Sequence, residues 1–147
     1  MSDDALYHDR LMALARAADG AGRLEKSTGR ATLDNPLCGD RATVEVIVDG
    51  GTVVAVAHDI KGCILCQAAA AAVGRHAPGA DPAGLLAVVE AVPAMLAADP
   101  APPPPWPDLD CFRPVRAVKS RHRCVTLPFE ALGEALRQAL QKTGGNF

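Results

Sequence analysis

Five cysteines stand at positions 38, 63, 66, 111 and 124, an odd number that a disulfide framework leaves with one thiol over. The chemistry concentrates in three segments: Asn35-Pro36-Leu37-Cys38-Gly39-Asp40, Gly62-Cys63-Ile64-Leu65-Cys66 and Ser120-Arg121-His122-Arg123-Cys124. Each offers a soft ligand at the edge of regular structure. A lone cysteine is more often a small buried residue than a ligand, so the reading depends on several of them converging. Asp40 follows Cys38 at i+2 and so lies on the same side of an extended chain. Cys38, Asp40 and Cys63, joined by Cys124, form a three-sulfur, one-oxygen set that suits tetrahedral Zn(II) or iron in a small cluster. The carboxylate is the weakest ligand of the four, and its departure opens the coordination position that a carrier needs. Asp40 is therefore the ligand expected to confer lability.

The elements that position these residues follow from periodicity. Residues 4–18 carry Leu6, Leu11, Leu14 and Ala18 at helical spacing, and Asp19-Gly20 stops the helix. Residues 20–34 show no sustained period and read as a loop leading to Cys38. Residues 41–48 and 52–60 are rich in β-branched residues, and the intervening Asp49-Gly50-Gly51 is a hairpin turn signal. Such a hairpin returns its outer ends to one edge, which brings Cys38 and Cys63 together. The alanine-rich run after Gly62 is a helix. Cys63 then sits at a helix N-terminus, where free N–H groups and the positive dipole end favour a thiolate. A further helix is expected over 83–98, kinked or restarted at Pro93. Residues 100–107 form an extended polyproline connector. A last helix spans 123–142, and because Pro128 is tolerated in the first turn, it begins close to Cys124.

With 147 residues and 49% hydrophobic content, the chain has the size of one domain with a single core. A net charge of -2 argues against a surface built throughout for nucleic acid or anionic lipid, so any basic function is local. Arg113, Arg116, Lys119, Arg121 and Arg123 form such a local run without an acid. It reads as a solvated face or as a docking surface beside Cys124. Only Phe112 at its edge offers an aromatic ring, against nucleic-acid binding. No apolar run reaches membrane-spanning length, and the acidic amino terminus is unlike a signal peptide. A cytoplasmic protein with no membrane partner is expected.

The same residues resemble a known family, the iron–sulfur cluster assembly scaffolds of the NifU amino-terminal-domain and IscU type, closest to the SufU branch. NPLCGD resembles the family's N-P-x-C-G-D segment, GDRATVEVIVDGGTVVAV its first hairpin, Gly62-Cys63 with the small-residue helix its second cysteine motif, and RHRCVTLPFEAL its third. Arg123 stands where IscU-like proteins place a His, and the long stretch between Cys63 and Cys124 resembles a SufU insertion. The resemblance implies an α+β fold of SufE/NifU-like type, a small antiparallel sheet of the hairpin and a third strand packed against several helices. It implies one domain over 1–147, with a helical and Pro-rich insertion at about 78–107. It further implies a Zn(II) or labile-cluster site at Cys38, Asp40, Cys63 and Cys124, with Cys38 accepting persulfide sulfur from a cysteine desulfurase and Arg121 in partner docking. Apo iron–sulfur proteins would be the recipients. The chain would act as a scaffold or carrier, at most a sulfurtransferase.

The chain departs from the family pattern in two places. QAAAAAVG follows the second cysteine motif where serines are usual, and Cys66 stands where a small residue is usual. Cys66 reads as a buried spectator thiol, with competition for the metal or a disulfide to Cys63 as the other reading. Cys111 and His122 have no ligand counterpart in the family and read as structural or exposed. Two other functions stay open at this level: a thiol–disulfide oxidoreductase using Cys63 and Cys66, and a structural zinc module that binds protein through its basic run.

Overall fold

The structure is a computed structural model and describes residues 3–144, with side chains described for 5–142. The order of elements is α1 (Asp3–Ala17), β1 (Gly29–Asn35), β2 (Asp40–Asp49), β3 (Thr52–Lys61), α2 (Ile64–His76), α3 (Pro82–Ala97), short 3₁₀ turns over Pro107–Ala117 and Lys119–Arg121, and α4 (His122–Gly144). The strands form an antiparallel sheet in the order β1-β2-β3, and the fold is α+β.

The hairpin lies where the pattern placed it, with Asp49 paired to Thr52 around Gly50-Gly51. Ala42, Val44, Val46 and Val48 all turn inward from β2, the period-2 set of a strand with one core face. The segment read as a loop ends in a strand. β1 pairs with β2 from Gly29 opposite Val46 to Asn35 opposite Asp40. Its sequence, GRATLDN, buries only Gly29, Ala31 and Asn35, and such small or polar inward residues produce no hydrophobic alternation.

Helix α2 fills the centre. Ala68 to Val73 are all fully buried, so the helix is enclosed on every side and carries no amphipathic stripe. Alanines suit this position because α1 and α4 both pack against α2. Helix α3 starts at the side chain of Asp81, which accepts the Gly84 N–H over 3.1 Å. It runs through Pro93 to Ala97 without the restart expected there.

Residues 98–106 form no helix or strand, as the proline run requires. The segment is pinned at its end by Trp106, stacked on His76 at 4.8 Å and 5.8 Å from Phe129. Helix α4 lays Val125, Phe129, Leu132 and Leu136, all fully buried, across β1, β2 and α2. Pro128 lies in its second turn, not the first as expected. A proline there removes the N–H that would bond the Cys124 carbonyl.

Candidate metal centre

The segment Asn35 to Asp40 is the turn between β1 and β2. The Asn35 carbonyl accepts the N–H of both Cys38 (3.2 Å) and Gly39 (2.9 Å), and Asn35 itself is buried. Gly39 has φ +72°, a left-handed conformation that glycine adopts without strain. This backbone path presents Cys38 at the exposed tip and returns the chain so that Asp40, the first residue of β2, points inward and is buried.

On the far side of the hairpin, β3 ends at Lys61 and Cys63 is the N-cap of α2, with extended backbone and no capping bond from its own side chain. Asp40, on the neighbouring strand, anchors the N-cap residue itself: its Oδ1 accepts the Cys63 N–H over 3.1 Å. Its other oxygen, Oδ2, lies 3.8 Å from Cys63 Sγ. Between these two residues, Gly62 is the point of closest approach. A Cβ at position 62 would stand 2.6 Å from Asp40 Oδ1, closer than real contacts allow. Cys124 enters from the first turn of α4, fully buried, with its Sγ donating towards Cys38 Sγ over 3.6 Å.

The fold thus gathers the four residues. The candidate ligand atoms of Cys38, Asp40 and Cys124 all lie within 4.8 Å of one another, and Cys63 adjoins them through Asp40. Zn–S bonds of about 2.3 Å in a tetrahedron separate the sulfurs by about 3.8 Å. The Cys38–Cys124 separation of 3.6 Å matches that spacing, so these two sulfurs and the Asp40 carboxylate can share a metal, with Cys63 Sγ 3.8 Å from Asp40 Oδ2. Burial, and then hydrogen bonding to Cys38 and Asp40, push the Cys124 thiol well above the ordinary thiol range. A metal must therefore displace a proton on entering.

The other cysteines stay apart in character. Cys66 is fully buried within α2, and burial pushes its thiol up to about 12. Cys111 is also buried, and loss of solvent pushes its thiol up to about 12. His122 turns inward, its Nε2 3.1 Å from the carbonyls of Val115 and Arg116, which is a structural role.

The basic run is less available than its sequence implies. Arg113 pairs with Asp110 at 2.8 Å and Arg123 with Glu130 at 3.3 Å. The Arg116 guanidinium donates to the carbonyls of Met95 and Ala98, tying the end of α3 to the 3₁₀ segment. Lys119 and Arg121 remain as exposed cations of the run. Arg121 borders a surface groove of about 320 Å³ with Ile64, Leu65, Pro114, Val115 and Val118. That groove begins next to Cys63. Sequence reasoning missed Gly62 as a site residue and Asp40 as the anchor of the α2 N-cap residue. The glycine directly before Cys63 was the available signal for both.

A comparison with protein families matches residues 6–96 to the NifU-like N terminal domain, a span that contains Cys38, Asp40 and Cys63 and ends before Cys124. Among solved structures, the N-terminal part of a nitrogen-fixing NifU-like protein from Brucella abortus superposes with a TM-score of 0.86 at 34% identity, over 95% of this chain and 97% of that one. A putative iron–sulfur cluster assembly scaffold protein for the SUF system from Fervidobacterium islandicum AW-1 shares the fold with a TM-score of 0.81 at 22% identity, over 92% of this chain and 99% of that one. No curated protein sequence gave a match. By the family match and the Brucella relative, this chain belongs to the NifU-like N-terminal domain family.

Proposed function

We propose that this protein is an iron–sulfur cluster assembly scaffold of the SufU kind, with Cys38, Asp40, Cys63 and Cys124 as its one working site. The observation that carries the reading is the juxtaposition of an exposed thiol, a buried thiol and a buried carboxylate within 4.8 Å, in a chain of NifU-like family. Zn(II) is the resident ion this donor set suits, and when bound it keeps the site's sulfurs as thiolates at neutral pH. Iron and sulfide are cargo. Cys63 and Cys124, at the starts of α2 and α4, are the anchors, and Asp40 is the replaceable ligand.

Cys38 is the sulfur acceptor because it alone of the four is exposed. Its thiolate attacks the outer sulfur of a cysteine persulfide on a cysteine desulfurase. The persulfide S–S bond breaks, its electron pair returns to the desulfurase cysteine, and Cys38 carries the new persulfide. Arg121 and the groove beside Cys63 serve the docking of that partner, and apo iron–sulfur proteins receive the product. A thiol–disulfide oxidoreductase built on Cys63 and Cys66 is disfavoured. Cys66 is fully buried with its thiol pushed up to about 12, and α2 follows an antiparallel hairpin instead of standing in a βαβ unit.

Transfer of radiolabelled sulfur from cysteine, in the presence of a cysteine desulfurase, tests the reading. Wild-type protein is expected to take up label as a persulfide on Cys38. Cys38→Ala is expected to keep its circular dichroism spectrum and take up none. Uptake by Cys38→Ala equal to wild type would remove Cys38 from the role.

A further inference from the structure

Cys38 and Cys124 differ in every respect except distance. One is exposed on a turn and the other fully buried on α4, yet the Cys124 thiol points at Cys38 Sγ from 3.6 Å. Cys63 Sγ lies 3.8 Å from Asp40 Oδ2 and also adjoins Cys124, but it is Cys38 that the Cys124 thiol faces. A persulfide on Cys38 would therefore have a thiol facing its inner sulfur, the one bonded to carbon. Closing 3.6 Å to a disulfide bond requires a movement of about 1.5 Å. The turn that carries Cys38 can supply it, since Cys38 and Gly39 stand at its exposed tip and the space around Gly39 is open.

Persulfide sulfur is two electrons more oxidised than the sulfide a cluster contains. We propose that, in the metal-free site, Cys124 is the resolving thiol that reduces the Cys38 persulfide and releases sulfide. The inference rests on Cys38 being the sulfur acceptor. Cys124 Sγ forms a bond to Cys38 Sγ, and the bond from Cys38 Sγ to the terminal sulfur breaks with its electron pair on the departing sulfur. Burial holds Cys124 protonated, so its proton must leave as the new bond forms: the Asp40 carboxylate, within 4.8 Å of both sulfurs, takes it and passes it to the departing sulfur. Cys38–S–SH and Cys124–SH thus become Cys38–S–S–Cys124 and H2S: two thiol sulfurs are oxidised to a disulfide as the terminal sulfur is reduced to sulfide. Hydrosulfide leaves more readily than an alkyl thiolate, which favours this direction of cleavage. A small-molecule dithiol restores the site by attacking the disulfide at the exposed Cys38 sulfur, first as a mixed disulfide and then by its own second thiol. The chain would then deliver sulfur already at the oxidation level of the cluster.

The test uses the full chain stripped of metal by a chelator, loaded with glutathione persulfide and desalted at once, with sulfide release and peptide masses followed over time. Wild type is expected to gain one sulfur on the Cys38 peptide, then to release it as sulfide while a Cys38–Cys124 disulfide peptide appears in equal amount. Cys124→Ser is expected to hold the persulfide on Cys38 and to release sulfide at least about tenfold more slowly, because the held thiol has lost its intramolecular advantage. Equal release rates in the two proteins, or a persulfide that migrates to Cys124, overturn the inference while leaving Cys38 as acceptor. Absence of any persulfide on Cys38 overturns the acceptor reading and the inference with it. Should Cys124→Ser fail to fold, the wild-type peptide map decides: sulfide release without the Cys38–Cys124 disulfide overturns the inference.

Discussion

The carboxylate of Asp40, at the start of β2, accepts the backbone N–H of Cys63, at the start of α2, over 3.1 Å. One buried side chain thus anchors the start of a helix and stands among the thiols. Its position is fixed by the fold before any metal arrives. Gly62 makes this arrangement sterically possible, because a Cβ there would meet the same oxygen at 2.6 Å.

Gly62→Ala should accordingly disturb the site from outside the ligand set. The added methyl group displaces Asp40 or the β3–α2 junction, at a stability cost of about 1–3 kcal/mol, and lowers zinc affinity by about tenfold or more. Urea unfolding and competition with a chromophoric chelator measure the two effects. Unchanged zinc affinity would mean that Asp40 does not belong to the site.

Asp40→Cys replaces the weakest ligand by a thiolate and turns the set into the four-sulfur type of structural zinc sites. Zinc release to a chelator should slow by about tenfold or more in this variant while the fold is kept. Release at the wild-type rate would show that the carboxylate is not the source of lability.

The cysteines should separate in reactivity towards iodoacetamide in the metal-free, folded protein. Cys38 is exposed and should be modified first. Cys66 and Cys111 are buried and their thiols are pushed up to about 12, so at neutral pH they remain protonated and should react only after unfolding. Mass spectrometry of the alkylated peptides reads the order. Early modification of Cys66 would revive a redox role for the Cys63–Cys66 pair.

Stability should fall on acidification through a residue remote from the thiols. His58 is buried on β3, with Nε2 2.8 Å from the Asp19 carbonyl and Nδ1 without a partner. Loss of solvent holds its imidazole below the ordinary value, against smaller opposing effects of Asp19 and Asp59. The unfolded chain, with its imidazole near about 6.5, therefore binds the proton first as pH drops. The neutral-His contribution is complete above that value and is lost progressively as pH falls below it. Urea midpoints between pH 5 and 8 should show this slope, and His58→Gln should flatten it.

Much of the site was legible in the sequence because its residues sit at element boundaries that turns and helix starts announce. Asp49-Gly50-Gly51 defined the hairpin, and the alanine run after Gly62 defined α2. β1 was not legible, since Gly29, Ala31 and Asn35 point inward and are too small or polar to give a hydrophobic period. Cys38 still falls just before the hairpin, as read, and the third strand was expected from the family resemblance alone; what the pattern did not show is that Cys38 lies on a turn between two strands. The basic run was over-read for a related reason. Composition counts Arg113, Arg116 and Arg123 as free charges, whereas Asp110, the end of α3 and Glu130 engage them, and those contacts depend on tertiary packing. Pro93 was expected to kink or restart its helix and Pro128 to lie in a first turn; α3 continues through Pro93 without a restart and Pro128 stands in the second turn of α4, where packing outweighs a missing hydrogen bond.

The central claim is that Cys38, Asp40, Cys63 and Cys124 form one site that assembles iron and sulfide. Anaerobic incubation of the purified protein with ferrous iron, cysteine and a cysteine desulfurase, followed by iron and acid-labile sulfide analysis, tests it most directly. Wild type is expected to acquire both, with Cys66→Ala and Cys111→Ala equal to it. Cys38→Ala, Cys63→Ala and Cys124→Ala should each lose most of both while keeping the wild-type circular dichroism spectrum. Loading of those three variants to wild-type levels would contradict the account.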